Sequence, residues 1–600
     1  SAFSWYPSGL VANRTLQGNY LPHVDQYAIP FDTIPAYRNK ARMVYEFDGG
    51  DIMSPYMYPA MARSFRSAGF QWATQFAYDP LATAYANTEY QTHYVNLAYT
   101  PAKAISLLIA AKAFNRLPRS KSWGAYPADT LFDVFRLSHR QQLSEMNTPE
   151  EFYYTGTTST PPKNLARLQQ LAGVGSSPVV QYEGTGAYFL DKLEGGLWRL
   201  EVMPDAIPIR DPYAKASPAK EVTRIQWQAH SMRIQLPDLS PTFRIEGANE
   251  GNSLRTNSRE GAFTIAPGTY LLRRGEKGGK TPTGKLKGIL GMAEFVAPQP
   301  RSSAPYVQHT PFRELSAGKA FTLTARVVGV DSTATLTVLM RTYSGVWKNL
   351  PMERYSAYEY RAEVPADLAT PGLISYRLLL QQGDTTAFTY PGNHPGNPWA
   401  WDYTEDESWE TYVAAPGSAL ALFDAATDRQ PLVYPNLWRP EERQLLTTNL
   451  PGQLLLRLAV PALPSEGVLG WQLPVLEKLA GRQGELAAFT KLLIKARTDG
   501  DQPQRLKVSL ITKDAASYAA YVELGNVLSQ LEIGLKELKP DRMMLLPRPY
   551  PGFHPFWFAP AQAPPFRLQD VEKIEVTLVP EQPLSNTPYS LEVSSVWLLP

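Results

Sequence analysis

The chain has 600 residues, 44% hydrophobic and 12% aromatic, with 58 basic against 56 acidic side chains, a net charge of +2 and no cysteine. That length suggests about four domains of roughly 150 residues, each able to bury a core, while the near-neutral charge excludes an electrostatic case for nucleic acid or an anionic membrane. The missing thiols exclude disulfides, thiolate metal sites and cysteine nucleophiles, and no window reaches the roughly 18 apolar residues of a membrane helix, so the chain is not read as an integral membrane protein.

From Ser1 to about Lys40 the sequence reads as loop, with prolines at 7, 22, 30 and 35. Within it Gly18-Asn19-Tyr20-Leu21-Pro22-His23-Val24-Asp25-Gln26-Tyr27 gathers two aromatics, a histidine and an aspartate. The apolar run Ala41-Arg42-Met43-Val44-Tyr45 then stops at Glu46-Phe47-Asp48-Gly49-Gly50-Asp51, the pattern of a strand ending in a carboxylate and a glycine turn. Ser54-Pro55 supplies an N-cap and a first-turn proline, and Tyr58, Met61, Ala62, Phe65 and Ala68 follow at helical spacing up to Gly69. Phe70 to Tyr78 reads as a second strand ending at Asp79, so the unit is predicted to be βαβ. After the polar-aromatic loop Asn87 to Tyr94, which contains His93, comes a second helix. Thr100 is its predicted cap, Pro101 its first turn, and Ile105, Leu108, Ile109 and Ala113 its apolar face. Parallel strands converge on one open face at their C-terminal ends, and Glu46 and Asp79 stand at two such ends.

Arg42-Met43-Val44-Tyr45-Glu46, the tryptophan-containing strand ending Phe76-Ala77-Tyr78-Asp79, and the upstream Phe3-Ser4-Trp5-Tyr6-Pro7 resemble strands seven, eight and six of a (β/α)8 glycoside hydrolase. The likeness is to the large secreted, cellulase-like enzymes of the retaining clan, and it covers about the first 115 residues. It implies Glu46 as nucleophile, hydrolysis of a β-linked polysaccharide or oligosaccharide, no cofactor, and a secreted or cell-surface location. It also implies that five earlier strands, including the one bearing the acid/base glutamate, come from a segment before Ser1 or from a partner that completes the barrel. Retention requires the two carboxyl groups about 5 to 5.5 Å apart.

Around Glu46, Trp5, Tyr6 and Tyr78 are candidates to stack on sugar faces, and each is equally what fills a barrel mouth. His23, His93 and Asp25 could hydrogen-bond hydroxyls or tune Glu46, although a lone histidine is more often structural. Asp48 and Asp51 read as substrate hydrogen-bonding or structural residues, and Asp79 joins the substrate-facing set from its strand end. Neither His23 with Asp25 nor the Asp48/Asp51 loop has the ligand count or spacing of a zinc or calcium motif, so no metal is expected.

Beyond Leu117 helical spacing gives way to alternation. Val179 to Tyr182, Gly186 to Leu190, Leu197 to Val202, Phe263 to Ile265 and Thr269 to Leu272 are predicted strands of an accessory β-sheet region spanning 117–295. Gly275-Glu276-Lys277-Gly278-Gly279-Lys280-Thr281 only superficially matches a phosphate loop. Arg274 stands where its first glycine belongs, and a basic hairpin tip is the better reading. Residues 296–310 read as a linker. Strands at Phe321 to Val327, Ala334 to Leu339, Tyr358 to Val364 and Ile374 to Leu378 suggest an immunoglobulin- or fibronectin-like sandwich over 311–415. Residues 416–600, with strands such as Leu506 to Ile511, Lys573 to Leu578 and Ser590 to Leu598, resemble a jelly-roll, carbohydrate-binding-module-like domain. Two aromatic stretches, Pro398 to Tyr403 and Arg548 to Phe558, are either exposed sugar platforms or buried caps.

The fold class expected is therefore multidomain and mostly β, with an N-terminal partial (β/α)8 barrel (1–116, strands six to eight) followed by β-sandwiches. A non-catalytic carbohydrate-binding or surface-assembly protein is the competing class. A lyase of uronic acid polymers would need a tyrosine/histidine pair in a basic groove, which near-neutral charge supports little.

Overall fold

The computed structural model describes the chain apart from residues 27, 276–283, 287–289, 384–385, 438, 464–466, 500–501 and 581–586. The predicted basic hairpin tip thus lies largely outside the described residues. Two compact units emerge. The first comprises Ser1–Leu16, Tyr20–Ala304 and Pro549–His554, the second Gln17–Asn19, Pro305–Arg548 and Pro555–Pro600. The fold is mostly β, with few helices, and among the described residues no helix is long and apolar enough to cross a membrane.

The first unit opens with a three-stranded parallel sheet in the order β1 (Ala2–Trp5), β2 (Met43–Phe47), β3 (Trp72–Gln75). Its connections carry the short helix α1 (Leu21–Val24) and the longer α2 (Met57–Ser67), and α3 (Pro101–Arg116) follows. An aromatic seam joins α2 to the sheet. Phe65 lies 5.3 Å from Phe47 and 5.9 Å from Phe70, and Phe3 lies 5.5 Å from Phe70. Phe65 is fully buried, so Phe65→Ala would cost about 3–5 kcal/mol. Gly69, at φ +84°, turns the chain off the end of α2, a left-handed conformation that glycine adopts without strain.

The βαβ order is present, with two shifts. Helix α2 starts at Met57 rather than at Ser54-Pro55, because Ser54 to Met57 closes as a turn instead (Met57 N donates to the Ser54 carbonyl, 3.4 Å) and no side chain caps the helix. Strand β3 stops at Gln75, short of Tyr78, and the Phe76–Ala77 peptide beyond it is cis. Helix α3 begins at Pro101 as predicted, but the Thr100 hydroxyl bonds the backbone of Asn96 instead of capping. No further described strand joins the parallel sheet, so an eight-stranded barrel is not shown.

The rest of the first unit is built on a ten-stranded sheet running from Arg255–Asn257 at one edge to Leu131–Phe132 at the other, together with a three-stranded sheet and two two-stranded sheets. Its strands include Leu197–Val202 and Gly268–Arg274, and Val180–Tyr182 lies in the smaller sheet, near the positions that alternation predicts. Trp198, Leu200, Met232, Ile245 and Leu272 are among the side chains that fill the shared core.

The second unit holds two sheet pairs with separate cores. A four-stranded and a seven-stranded sheet contribute Leu323, Val327, Val338, Tyr376 and Leu378 to one core. Tyr306–Gln308, inside the stretch read as a linker, is a strand of the smaller sheet. Two six-stranded sheets contribute Leu456, Ile494, Val593, Trp471, Val508 and Val576 to the other core. All eight residues of Val571–Leu578 are buried, charged ones included. The hairpin Met543–Met544/Trp557–Phe558 belongs to further apolar clusters with Phe556 and Phe558, so this part of the aromatic tail stretch is packed.

Candidate functional site

Glu46 stands one residue before the end of β2, and the β1–β2 register sets Ser4 directly beside it. Its Oε2 accepts hydrogen bonds from the Tyr6 hydroxyl at 3.1 Å and the Ser4 hydroxyl at 3.3 Å. Oε1 has no hydrogen-bond partner among the described residues, and the side chain is only half-buried. One oxygen is thus anchored and the other free, which suits a carboxylate that attacks. Burial, then the Glu46 charge, pushes the Tyr6 phenol far above its ordinary pKa, so Tyr6 remains a donor across the working pH range.

A buried charge cluster lies beside this pair. Asp48, fully buried, accepts a hydrogen bond from Gly49 N at 2.8 Å and lies 2.7 Å from His93 Nδ1. The His93 ring is 5.3 Å from Tyr6 and 5.2 Å from Phe76. Burial alone would raise the Asp48 carboxyl, but Lys103 and His93 outweigh it and hold it below the usual carboxylate range. Lys103, on α3, is itself buried and donates to the Tyr213 hydroxyl at 3.2 Å. Burial lowers its ammonium against the pull of Asp48, Asp79 and Asp51. Burial pushes both Asp51 and Asp79 up to about 7, even though Ala12 N and the Thr92 hydroxyl donate to Asp51 and Val95 N donates to Asp79. All three carboxylates act on Lys103, and burial is the leading cause that raises Asp51 and Asp79 toward neutral pH.

Aromatic rings border the site. Tyr90, 53% exposed, lies 5.0 Å from Phe76. Tyr550, from the Pro549–His554 segment of this unit, exchanges two backbone hydrogen bonds with Tyr6 (3.3 and 3.1 Å) and lies 5.7 Å from its ring. Phe553 lies 5.7 Å from Tyr550.

The structure brings Tyr6, Glu46, Asp48, Asp79 and His93 into this one region, with Asp79 linked through Lys103. Tyr78 is 53% exposed, and its hydroxyl accepts from Leu97 N at 2.9 Å. Trp5 is 2% exposed and packs with Phe3, so no face of its ring is open to a sugar. His23 is buried on α1, 4.8 Å from the Tyr20 ring, and Asp25 accepts from Tyr126 N at 3.4 Å. Among the described residues no group of three or more His, Cys, Asp or Glu side chains is placed to hold a metal ion.

Sequence reasoning misses Ser4, Phe76, Tyr90, Lys103 and Tyr550. Lys103 carried a signal, as a charge amid small and apolar residues early in a predicted helix. Tyr550 carried none that would tie it to Tyr6, more than 500 residues away.

No family model and no curated protein matches this chain. Among solved structures, one similar in part is the Family 11 carbohydrate-binding module of a cellulosomal cellulase of Clostridium thermocellum, at 8% identity and a TM-score of 0.18, covering 26% of this chain and 79% of that one. A Family 30 carbohydrate-binding module is similar at 10% identity and a TM-score of 0.20, over 30% of this chain and 99% of that one. An agarase is similar at 12% identity and a TM-score of 0.18, over 30% of this chain and 24% of that one, so this chain matches about a quarter of the agarase's length.

Proposed function

We propose that this protein is a secreted or cell-surface retaining glycoside hydrolase acting on a β-linked polysaccharide or oligosaccharide. The first 116 residues would be the closing portion of a (β/α)8 barrel, and the sandwiches at 311–415 and 416–600 accessory modules of immunoglobulin-like and jelly-roll type. The observation that carries the reading is Glu46 at a parallel strand's C-terminal end, with Oε2 held by Tyr6 and Ser4 and Oε1 free. In this reading Glu46 Oε1 attacks the anomeric carbon as the leaving oxygen takes a proton from a second, acid/base carboxyl. Water then hydrolyses the glycosyl ester, and the same second carboxylate takes its proton. Tyr6 keeps Glu46 oriented throughout, and the buried Asp48–His93 pair fixes the floor beneath. Tyr78 and Tyr90, both more than half exposed, supply the stacking faces of the subsite wall.

The test is hydrolysis by the full native polypeptide and its Glu46→Gln variant. We expect a loss of roughly a thousandfold or more in kcat, about 4 kcal/mol of transition-state stabilisation, with polysaccharide binding intact. Hydrolysis retained in the variant would remove Glu46 as nucleophile.

A second reading, a non-catalytic carbohydrate-binding protein, is favoured by one observation in the 311–415 sandwich. Trp401 is 96% exposed, Trp399 52% and Trp347 44%, with Trp347 and Trp399 5.1 Å apart. Large aromatics left in water at that density support a sugar-stacking surface. Under this reading Trp399→Ala with Trp401→Ala would remove most polysaccharide affinity, and Glu46→Gln would change nothing measured.

A further inference from the structure

A cleft of about 400 Å³ opens where the chain enters β2, lined by Arg38, Lys40, Arg42, Gln71, Arg119 and Ser120 among others. Arg42 and Glu46 are four residues apart along the strand, so about 13 Å separates this end of the sheet from the candidate nucleophile. Four of the six side chains are cations, in a chain whose net charge is only +2. Arg42 pairs with Asp32 at 2.7 Å, whereas Arg38, Lys40 and Arg119 have no carboxylate partner among the described residues.

The walls of the cleft are tied by hydrogen bonds. Arg66 Nε donates to the Leu117 carbonyl at 2.8 Å and its Nη1 to the Phe70 carbonyl at 2.9 Å, while Ser120 N donates to the Arg66 carbonyl at 2.8 Å. Gly69 allows the close approach, since a Cβ there would stand 3.0 Å from Ser120 Oγ with the backbone at φ +84°. Gln71 Oε1 accepts from Arg42 N at 3.2 Å, leaving its NH2 as a donor. Burial, and then the Arg119 charge, lowers the Arg66 guanidinium. Among the described residues no carboxylate lines the cleft.

We infer that this cleft binds a tetrahedral oxyanion, a sulfate or phosphate, either free or as an ester carried on a saccharide. Guanidinium forks pair with two oxygens of such an anion, and Gln71 and Ser120 add neutral donors. The volume exceeds that of the bare anion and leaves room for part of the group that bears it. Because the site lies at the other end of the strand from Glu46, it stands whether or not Glu46 is catalytic.

The experiment is calorimetric titration of the native protein with sodium sulfate against sodium chloride at constant ionic strength, then with a sulfated oligosaccharide against its desulfated form. We expect saturable sulfate binding that chloride does not reproduce. We also expect a loss of tenfold or more in sulfate affinity in the Arg38→Ala/Lys40→Ala/Arg119→Ala variant, and no change in Glu46→Gln. Tighter binding of the sulfated oligosaccharide than of free sulfate identifies the ester as the ligand; equal affinity identifies the free anion. Sulfate binding no better than chloride in the native protein overturns the proposal without reference to any variant. An unchanged sulfate affinity in the triple variant overturns it as well.

Discussion

Two buried charge clusters, one in each unit, both set carboxylates against lysine and are balanced differently. In the first unit Asp48, Asp51 and Asp79 lie about Lys103 with His93 beside them, and two of the three carboxyls are pushed up to about 7 by burial. In the second unit Glu572 and Glu575 lie with Lys507 and Lys573 on buried strands. Lys507 Nζ is 3.2 Å from Glu575, whose Oε2 also accepts from the Gln472 side chain at 2.6 Å and Met544 N at 3.0 Å. Burial lowers Lys573 to about 8, with Glu572 and Glu575 opposing. A matched cluster serves the fold. A cluster whose carboxyls are raised toward 7 by burial is costly to fold at neutral pH, and such perturbed groups concentrate at functional sites.

The largest expected effect comes from removing the buried lysine of the first cluster. Lys103→Met should destabilise the first unit by about 3–5 kcal/mol at pH 8, where it leaves buried carboxylates unpaired. The loss should shrink toward pH 5, where Asp51 and Asp79 take up protons. Urea unfolding read by hydrogen exchange in each unit separates this from the second unit, which should not change. An equal loss at both pH values would mean that Lys103 acts through packing alone.

Next in size is the pH dependence. The folded pKa values of Asp51 and Asp79, about 7, lie above the ordinary 3.8. Their stabilising contribution is therefore fully present below about pH 4 and lost as pH rises through 7. Asp79→Asn, which keeps an acceptor for Val95 N, should stabilise the first unit at pH 8 by at most about 4 kcal/mol and be neutral near pH 4. Stabilisation that does not vary with pH would refute the titration.

The opposite sign is expected in the second unit. Lys573, lowered to about 8 from 10.5, contributes stability that is present above about pH 10.5 and lost as pH falls through 8. The native second unit should thus gain stability as pH rises from about 7 to about 10, and Lys573→Met should abolish that gain, measured by the same exchange experiment on the strand Val571–Leu578. If both units lost stability in the same pH direction, the contrast between the clusters would fail.

The smallest effect tests the anchor of the candidate nucleophile. Ser4→Ala removes one of two hydroxyl donors to Glu46 Oε2 and should cost about 0.5–1.5 kcal/mol of stability or activity. Tyr6→Phe should cost more than Ser4→Ala, because the Tyr6 bond is the shorter of the two.

Much of this was legible in the sequence for a local reason. Alternation and helical spacing report which face of an element is buried, so Leu197–Val202, α3 and the strand carrying Glu46 fall where the pattern places them. Element ends were less legible, as at Ser54 and Phe76, because turn hydrogen bonds and neighbouring strands decide where a ladder stops. At the site, Glu46 could be singled out as an acid at a strand end and Asp48 as one just past it, whereas Asp79 lies four residues beyond the end of β3. The fate of Trp5 could not, since an aromatic before a loop reads the same whether its ring faces solvent or Phe3.

By itself the sequence determined the mostly β character, the parallel strand–helix–strand opening and the acid at the end of its central strand, since these follow from short-range periodicity and turn residues. Only the tertiary structure decided that Lys103 and His93 meet Asp48, that Tyr550 pairs with Tyr6, and that four cations surround one cleft. Those contacts join residues tens to hundreds of positions apart. Their charge balance and burial, which set every pKa discussed above, are properties of the packed chain, and no local pattern encodes them.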